Sequence, residues 1–362
     1  MPNPSPVLAA VTARVDALIA RMRTETAGDG PDAAAFVEAA ARTLEGGKGL
    51  RARFCRTAWA AVARAADPQA AENDAVWDVC AALEVFQAAA LVHDDLVDNS
   101  DTRRGRPSAH RAFEAEHVAA GWSGPAAGFG RSAALLLGDL LVAWSDDLLE
   151  HGLAGHSAAA AVRAEYARMR RDVTLGQYLD IAEESAWSVN DDAEHATRAL
   201  RIVSLKAARY SVEQPLLMGG ALAGADAAQR EALRGFGHPI GMAFQLRDDV
   251  LGVFGDERVT GKPSGDDLRE GKRTLLIAWT REALAAPGRR IVDELLGDPA
   301  LTRDQIESLQ ATIVESGALA RVEELIARYG TEAEEALRGA RLDAEATTEL
   351  RALADAATVR SA

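Results

Sequence analysis

The sequence lacks the features of a secreted, nucleic-acid-binding or membrane protein. Its 362 residues include only two cysteines, Cys55 and Cys80, which fits a reducing compartment and gives no disulfide framework. The formal net charge of −15 argues against binding to nucleic acid or anionic membranes, because such binding uses a basic face. No run of about 18 apolar residues predicts a membrane span, and charged residues interrupt the N-terminal apolar stretch, so no signal peptide is apparent. We therefore expect a cytoplasmic protein without a stable membrane anchor.

β-Strand signals are lacking as well, because no alternating β-branched runs lie between turn residues. Apolar residues instead recur at three- and four-residue steps, which is typical of amphipathic helices. The alanine-rich helical stretches are residues 33–44, 75–96, 133–149, 158–181 and 227–253. Turn residues predict breaks at 28–31, 121–130, 255–265, 287–288 and 297–299. None of these breaks is long enough for an interdomain linker, so we predict one all-α domain over residues 1–362 with essentially no sheet.

Two aspartate motifs give the strongest functional signal. The first contains Asp94, Asp95 and Asp98, and the second contains Asp248 and Asp249. Both lie in apolar helical sequence, and in the first motif the carboxylates at positions i and i+4 share one helix face and repel each other. Mg²⁺ prefers oxygen ligands and commonly bridges one or two carboxylates to substrate phosphates. The motifs therefore predict a diphosphate held between two helices through several metal ions.

Basic residues near the first motif point to phosphate binding. Arg103 and Arg104 follow it after a short turn, and guanidinium groups bind phosphate through paired hydrogen bonds. Upstream, two glycines in residues 46–51 precede a helix start, which favours an anion, and Lys48 and Arg51 follow them. Taken alone, the upstream segment also fits an ordinary helix start, and the two arginines also fit a solvated basic loop.

The late part of the chain combines carboxylates, glycines and lysines. Residues 245–274 alternate these types, which suits a metal–phosphate site covered by a water-excluding loop. A solvated charged loop is the alternative for residues 266–270. Between the two motifs, Lys206 lies among apolar residues, where an unpaired lysine would attract an anion.

In their order, these motifs resemble those of the trans-isoprenyl diphosphate synthases, also called polyprenyl synthetases. The matching motifs are Gly-Gly-Lys-x-Leu-Arg, Asp-Asp-x-x-Asp with Arg-Arg-Gly, Gly-Asp, Gly-Gln-x-x-Asp, a lysine, Phe-Gln-x-x-Asp-Asp, Gly-Lys, and Gly-x-Asp-Leu with a further lysine. They cover residues 46–274, and the helical pattern extends the resemblance over nearly the whole chain. The resemblance, strongest to bacterial geranylgeranyl diphosphate synthases, implies the isoprenoid synthase fold, a helical bundle around a central apolar cavity.

The resemblance also assigns roles to individual residues. The diphosphate of isopentenyl diphosphate would be bound by Lys48, Arg51, Gln87 and Arg104. The allylic diphosphate would be bound by Arg103, Lys206, Gln245 and Lys262, with Lys272 as a further substrate-binding lysine. Mg²⁺, implied at three ions per active site and replaceable by Mn²⁺, would be held by Asp94, Asp98 and Asp248, with Asp95, Asp249 and Asp267 in support. The residues expected to carry catalysis are Asp94, Asp95, Asp98, Arg103, Lys206 and Asp248.

Four positions depart from the family pattern. Gly252 replaces the last aspartate of the second motif, so that one carboxylate is lost, and Asp256 lies one turn further on. Ala207 replaces the hydroxyl residue that usually follows the lysine. Gly49 stands at the usual arginine after Lys48, and Ala52 stands at the usual proline. We expect the site to survive these changes, because in the family the first aspartate of the second motif is the principal ligand.

The chemistry implied is a chain elongation. Metal ions and cationic side chains stabilise the departing diphosphate, and isopentenyl diphosphate attacks the resulting allylic cation in a water-free cavity. Product length is expected to depend on the helix wall below the first aspartate motif. Ala89 and Ala90 lie about one turn down, and Phe86 lies about 12 Å down at 1.5 Å per residue. Two small residues above an aromatic floor predict a C20 product, geranylgeranyl diphosphate, with farnesyl or longer products as alternatives.

Two other functions compete with this one. A class I terpene cyclase would share the first aspartate motif but would carry a different second motif and no second diphosphate site. A regulatory subunit of a heteromeric synthase would normally lack the first aspartate triplet, which is complete here. By analogy with the family, we also expect a homodimer, whose small-molecule partners are isopentenyl diphosphate and the allylic diphosphates.

Overall fold

The computed structural model describes residues 6–255 and 264–358, and most of them are helical. They cluster into two compact units, the first made of residues 6–56 and 69–159 and the second of residues 57–68 and 160–358. The predicted all-α class is confirmed, whereas the prediction of a single domain stays a prediction. The expectation of essentially no sheet is confirmed for the described residues, whose strands form one two-stranded antiparallel ribbon that pairs Thr102 with Pro107 and Arg103 with Arg106.

The first unit is built around one buried helix. Its elements are α1 Pro6–Glu25, α2 Pro31–Thr43, the start of α3 Leu50–Ala66, α4 Asp74–Val97, β1 Thr102–Arg103, β2 Arg106–Pro107, α5 Ala109–Ala119 and α6 Ala126–Leu153. The Asn73 side chain caps α4 by accepting the backbone N–H of Val76 at 3.3 Å. Helix α6 packs along α4, where the Ser145 hydroxyl donates to the carbonyl of Ala82 at 2.7 Å. Because α4 is buried, the first aspartate motif at its C-terminal end has a rigid support.

The second unit has α10 at its centre. Its elements are the rest of α3, α7 Ala159–Ala186, α8 His195–Ile202, a π-helix Val203–Glu213, α9 Gln214–Leu222, α10 Ala227–Phe254, α11 Asp266–Glu270, α12 Leu275–Ala283, α13 Ala286–Leu295, α14 Arg303–Glu315, α15 Ala318–Leu337 and α16 Ala344–Thr358. A capping box between Asp226 and Gln229 starts α10. Near the other end of α10, the Arg247 guanidinium donates to both carboxylate oxygens of Glu323 on α15 at 2.6 Å. Arg247 therefore anchors the helix that carries the second aspartate motif.

Two predicted breaks are wrong in detail. Helix α6 begins at Ala126, so the glycine-rich segment 121–130 is helical in its second half. Glycine at position 130 does not break the helix but lets it pack closely on α5, because a Cβ there would overlap the backbone of α5 at His110. Pro287 and Gly288 lie in the first turn of α13 rather than between helices. Proline is tolerated there because first-turn N–H groups have no partner within the helix.

Two helices are long and apolar enough on average to span a membrane, although charged residues interrupt both, so that neither contains an unbroken run of 18 apolar residues. The two helices are α4 and α6. In α4, 72% of the most apolar window is buried inside the protein, as in an ordinary core helix, whereas in α6 only 28% is buried. The core helix of a soluble protein can have the same length and apolar composition as a membrane span.

Candidate active site

The first aspartate motif forms the C-terminal turn of α4. Asp94 and Asp98 lie one turn apart, and the Asp98 backbone N–H donates to the Asp94 carbonyl at 2.8 Å. Asp95 is 3% exposed and accepts Arg103 Nε at 2.8 Å, while Arg103 Nη2 donates to Asp94 at 3.3 Å. The Arg103 fork therefore links the two adjacent carboxylates. Because Asp95 is engaged in this way, direct ligation of a metal by Asp95 stays a prediction.

Burial and the neighbouring charges shift the pKa values of Asp95 and Arg103 in opposite directions. Burial raises the pKa of Asp95 above its ordinary value, although the hydrogen bond and the charge of Arg103 oppose that rise. Burial tends to lower the pKa of Arg103, but its pairing with Asp95 and the charges of Asp94 and Asp98 raise it overall. The guanidinium consequently stays charged and fixed in orientation.

The next residue, Arg104, contacts the glycine loop before α3 rather than the aspartates. It lies in the turn between β1 and β2 with a positive φ of 54°, and its Nη1 donates to the Glu45 carbonyl at 3.0 Å. A Cβ on Gly47 would lie 3.3 Å from Arg104 Nη2, so the glycine loop before α3 fits closely against this guanidinium. The glycine loop and Arg104 therefore lie together in the first unit, whereas their shared binding of isopentenyl diphosphate stays a prediction.

Two departures from the family pattern have local explanations. Gly49 has φ +60°, and a Cβ there would overlap the side chain of Leu8 on α1. The backbone N–H of Ala52, which proline would lack, donates to Glu84 Oε1 of α4 at 3.0 Å. An N-terminal N–H of α3 is thus satisfied by a carboxylate that the sequence analysis did not identify.

These groups surround part of one cavity in the first unit. The cavity has a volume of about 270 Å³, and its lining includes Gly46, Asp95, Arg103 and Arg104. The other residues assigned to isopentenyl diphosphate do not line it in the described part of the chain; they are Lys48, Arg51 and Gln87. Lys48 is exposed in the loop before α3, whereas Arg51 and Gln87 are half-buried on α3 and α4.

In the second unit, α10 presents the second aspartate motif. Asp248 is half-buried and Asp249 is 8% exposed, with Gln245 Nε2 one turn earlier donating to Asp249 at 2.8 Å. Burial raises the pKa of Asp249 to about 7, and the like charges of Asp267 and Asp248 add to this rise against the hydrogen bond from Gln245. Gln245 therefore orients Asp249, which is a role in addition to the predicted contact with substrate.

Gly252, where the family has an aspartate, leaves room for another carboxylate. A Cβ on Gly252 would overlap the side chain of Asp267, and even the farther oxygen of that carboxylate would lie at 2.8 Å. Lys272 Nζ lies 3.9 Å from Asp267 and 3.1 Å from Glu270. The carboxylate that is absent at position 252 is therefore replaced in space by Asp267 from the start of α11. Lys262 and Asp256 lie outside the described residues.

The expectation that Lys206 is unpaired is wrong. Its ammonium donates to Asp180 of α7 at 2.6 Å, so a carboxylate holds it in place. Lys206 belongs to the π-helix, a geometry often found at functional sites. The backbone of α7 at Gly176 approaches the Lys206 backbone so closely that a Cβ on Gly176 would overlap it. The neighbouring Ala207 is buried, so the usual hydroxyl would lie in a packed position.

The carboxylates suit magnesium bound together with a substrate. Within residues 6–255 and 264–358, no group of three or more His, Cys, Asp or Glu side chains is arranged to hold a metal ion without other ligands. Mg²⁺ seldom uses such all-protein cages and is usually held by one or two carboxylates plus substrate phosphates. Asp249, crowded by Asp248 and Asp267, is strained as an anion, and a cation there would relieve that strain. The donor set therefore fits the implied metal.

The predicted product-length residues lie on α4 below Asp94. Phe86 is 6% exposed and Ala89 is fully buried, whereas Ala90 is half-buried. Positions four and eight residues before Asp94 share its helix face, so Ala90 and Phe86 lie below it at successive turns. Ala89 is rotated away from that face into the packed core.

Comparison with known proteins identifies the family. The sequence profile described as polyprenyl synthetase matches residues 34–313, which is more than half of the chain. The chain belongs to the polyprenyl synthetase family. This confirms the resemblance inferred from the motifs, and the protein is a prenyltransferase with the activity class of trans-prenyl diphosphate synthases.

Individual relatives of this polyprenyl synthetase differ in product. A geranylfarnesyl diphosphate synthase of Aeropyrum pernix is 32% identical over 76% of this chain and 80% of its own length. A (2E,6E)-farnesyl diphosphate synthase of Mycobacterium bovis is 36% identical over 71% of this chain, and the match spans 64% of that protein. Product length therefore does not follow from these names.

A solved structure confirms the fold of this polyprenyl synthetase. The geranylgeranyl pyrophosphate synthase of Corynebacterium glutamicum, complexed with isoprenyl diphosphate and magnesium, aligns with a TM-score of 0.91 and 34% identity. The alignment covers 99% of this chain and 100% of that one. The isoprenoid synthase fold expected from the sequence is therefore confirmed.

Proposed function

We propose that this polyprenyl synthetase joins isopentenyl diphosphate head-to-tail to an allylic diphosphate in a Mg²⁺-dependent reaction that releases diphosphate. The allylic substrates are dimethylallyl, geranyl and farnesyl diphosphate, and the products are all-trans. The observation that best supports the proposal is the Arg103 guanidinium, which Asp94 and Asp95 orient beside the cavity that Arg104 also lines. Isoprenyl diphosphate and magnesium bound to the Corynebacterium glutamicum enzyme support the same substrate class and metal.

The allylic diphosphate is assigned to cations that the protein already holds in place. Mg²⁺ bound by Asp94, Asp98 and Asp248 would neutralise the charge that builds up on this diphosphate as it departs. Arg103 is fixed by its two aspartates, so it contacts phosphate without first losing rotamer freedom. Lys206 is similarly held by Asp180 and donates its remaining ammonium protons to phosphate oxygens.

Isopentenyl diphosphate is assigned to the first unit. Arg104, supported by the glycine loop, binds its diphosphate together with Lys48, Arg51 and Gln87. The allylic C–O bond breaks and its electron pair leaves with diphosphate. The double bond of isopentenyl diphosphate then forms the new C–C bond, and a proton lost to the departing diphosphate restores a double bond. Apolar helix surface excludes the water that would otherwise convert the allylic cation to an alcohol.

The proposed product is geranylgeranyl diphosphate, C20. Ala90 leaves space at the first turn below Asp94, and Phe86 closes the same helix face one turn further down. The expected result of Phe86→Ala is a longer product, because removing the ring removes the floor. Ala89→Val serves as the matched control, because Ala89 is fully buried on a different face and should affect stability rather than product length. An unchanged product from Phe86→Ala would contradict the floor assignment.

The decisive assay uses the purified protein alone with Mg²⁺, labelled isopentenyl diphosphate and each of the C5, C10 and C15 allylic primers. Linear products from at least one primer, abolished by EDTA, are expected. A cyclic hydrocarbon would instead identify a terpene cyclase. No product from any primer would contradict the proposal and favour a regulatory subunit.

A homodimer and a cytoplasmic location complete the proposal. Helix α6 supports the dimer, because Phe129, Leu135 and Leu136 are exposed apolar residues on it. Light scattering after gel filtration should give twice the mass of the chain, and Leu136→Glu should reduce it. The buried free thiols of Cys55 and Cys80 support a reducing location. Cell fractionation tests that location directly.

A further inference from the structure

Arg42 lies beside the site without belonging to any family motif. It is in the last turn of α2, four residues before the first glycine of the family pattern, so the resemblance gives it no role. Its side chain is exposed and lines the 270 Å³ cavity of the first unit, together with Arg103 and Arg104. An arginine near the end of a helix is favourable for the helix dipole. That effect explains why arginine is tolerated at this position but not why it lines this cavity.

The cavity lining carries more positive than negative charge. Its charged members are Arg42, Arg103, Arg104, Arg106, Glu45 and Asp95. Arg103 is paired with Asp95, and Arg106 donates to the Glu45 carboxylate at 2.8 Å. Arg104 donates to a backbone carbonyl, which carries no net charge. Two guanidinium charges, on Arg42 and Arg104, are therefore left without a carboxylate in the lining.

The carboxylate closest to Arg42 along its helix already has another partner. Glu38 lies one turn before Arg42 on α2, and both of its oxygens accept hydrogen bonds from Arg23, at 2.6 and 2.7 Å. Within residues 6–255 and 264–358, the Arg42 guanidinium makes no hydrogen bond and no ion pair within 4 Å, and its interaction with Glu38 is limited to a charge effect that adds to the lowering of the Glu38 pKa by Arg23. It therefore keeps its full set of N–H donors for a ligand, and a guanidinium binds phosphate through two parallel hydrogen bonds.

We propose that Arg42 is an additional binding residue for the diphosphate of isopentenyl diphosphate, acting with Arg104. A diphosphate matches the excess charge of the cavity, and two guanidinium groups provide paired donors for it. The inference rests on the proposed assignment of isopentenyl diphosphate to Arg104. It adds to that assignment a cation that the shared motifs do not include.

The kinetic test compares Arg42→Gln with the wild type. One lost charge-assisted hydrogen bond predicts an increase of about tenfold in KM for isopentenyl diphosphate. The kcat and the KM for geranyl diphosphate should stay within about twofold, because the proposal assigns Arg42 only to the diphosphate of isopentenyl diphosphate and not to the allylic substrate. The KM of Arg42→Lys for isopentenyl diphosphate should lie between those of the wild type and Arg42→Gln, since lysine keeps the charge but loses the planar fork. Arg21→Gln is the matched control, because Arg21 is an exposed helical arginine that does not line the cavity.

A binding experiment separates this inference from the proposed function. Calorimetry with isopentenyl diphosphate, and with inorganic diphosphate as the simpler probe, measures binding to the wild type and to Arg42→Gln without any turnover. Weaker binding by the variant supports Arg42 even if the wild type elongates no primer, in which case only the proposed function fails. Unchanged binding and KM overturn the inference. Equal increases in KM for both substrates, or a lower Tm than that of Arg21→Gln, also overturn it, because they indicate a structural role.

Discussion

Restoring the family aspartate at position 252 should damage this protein rather than improve it. In Gly252→Asp, the new Cβ would overlap the Asp267 carboxylate, of which even the farther oxygen would lie at 2.8 Å. The Asp267 carbonyl accepts the Lys272 N–H at 3.1 Å, so the backbone is held and the side chain must swing away. Forced displacement in a packed site costs about 1–3 kcal/mol. The added carboxylate also lies near Asp249, which is already strained as an anion, with its pKa raised to about 7.

The measurement is urea unfolding at pH 8 with EDTA. The expected loss of unfolding free energy for Gly252→Asp is about 1–3 kcal/mol, and it should be smaller at pH 6, where carboxylate repulsion is weaker. Gly330→Asp is the matched control, because Gly330 is also helical and a Cβ there meets nothing within 4 Å. Equal stability of the two aspartate variants would refute the steric argument.

An exchange variant tests whether Asp267 replaces the missing aspartate. Gly252→Asp combined with Asp267→Gly removes the overlap and keeps the number of carboxylates, so most of the lost stability should return. The coupling between the two sites should be about 1 kcal/mol or more. Mn²⁺ binding, followed by calorimetry, should weaken in Asp267→Gly alone and recover in the exchange variant. A double variant no better than the single variants in both measurements would refute the replacement.

Two further predictions concern stability. Burial tends to raise the pKa of Asp172, but hydrogen bonds from Arg209 at 2.8 Å and from Arg171 at 2.7 Å hold it below the ordinary 3.8. Asp172→Asn should therefore lower the free energy of unfolding by about 1–3 kcal/mol at pH 7. This difference from the wild type should disappear as the pH falls below the ordinary aspartate pKa and then through the lower pKa of folded Asp172. Thermal unfolding of both proteins from pH 7 to pH 2.5 measures it. Gly138→Ala on α6 should lower Tm, because its Cβ would overlap the His93 ring, whereas the control Gly128→Ala, which meets only Pro125 at 3.5 Å, should not. Equal Tm values for the two alanine variants would contradict that reasoning.

The sequence predicted the parts of this structure that depend on local pattern. Helical periodicity placed the centres of the long helices, and the aspartate motifs lie at helix positions where the spacing brings Asp94 and Asp98 onto one face. Helix ends were less predictable. Glycine and proline indicate breaks in isolation, but Gly130 is required by the approach of α5 and Pro287 sits in a tolerated first turn. Tertiary packing decided both cases.

The partners of charged side chains could not be predicted in the same way. Lys206 looked unpaired because its neighbours along the helix are apolar, yet Asp180 from another helix binds it. Asp180 belongs to the Gly-Gln-x-x-Asp motif, so the sequence contained the residue but not the contact. That contact depends on Gly176, which lets α7 approach the π-helix backbone. A π-helix has no sequence signature comparable to that of an α-helix, so this geometry was not foreseen.

The departures from the family pattern share a physical logic. At each of three positions, a family side chain is absent and a group from elsewhere in the chain occupies the space or makes the bond. Leu8 fills the space beside Gly49, Glu84 accepts the N–H that Ala52 provides, and the Asp267 carboxylate lies against Gly252. Read one position at a time, the sequence suggests a weakened site. Together with their partners, these residues form a site in which the space or hydrogen bond of each family side chain is already taken by another group. Introducing the family residues into this chain should therefore disturb the site.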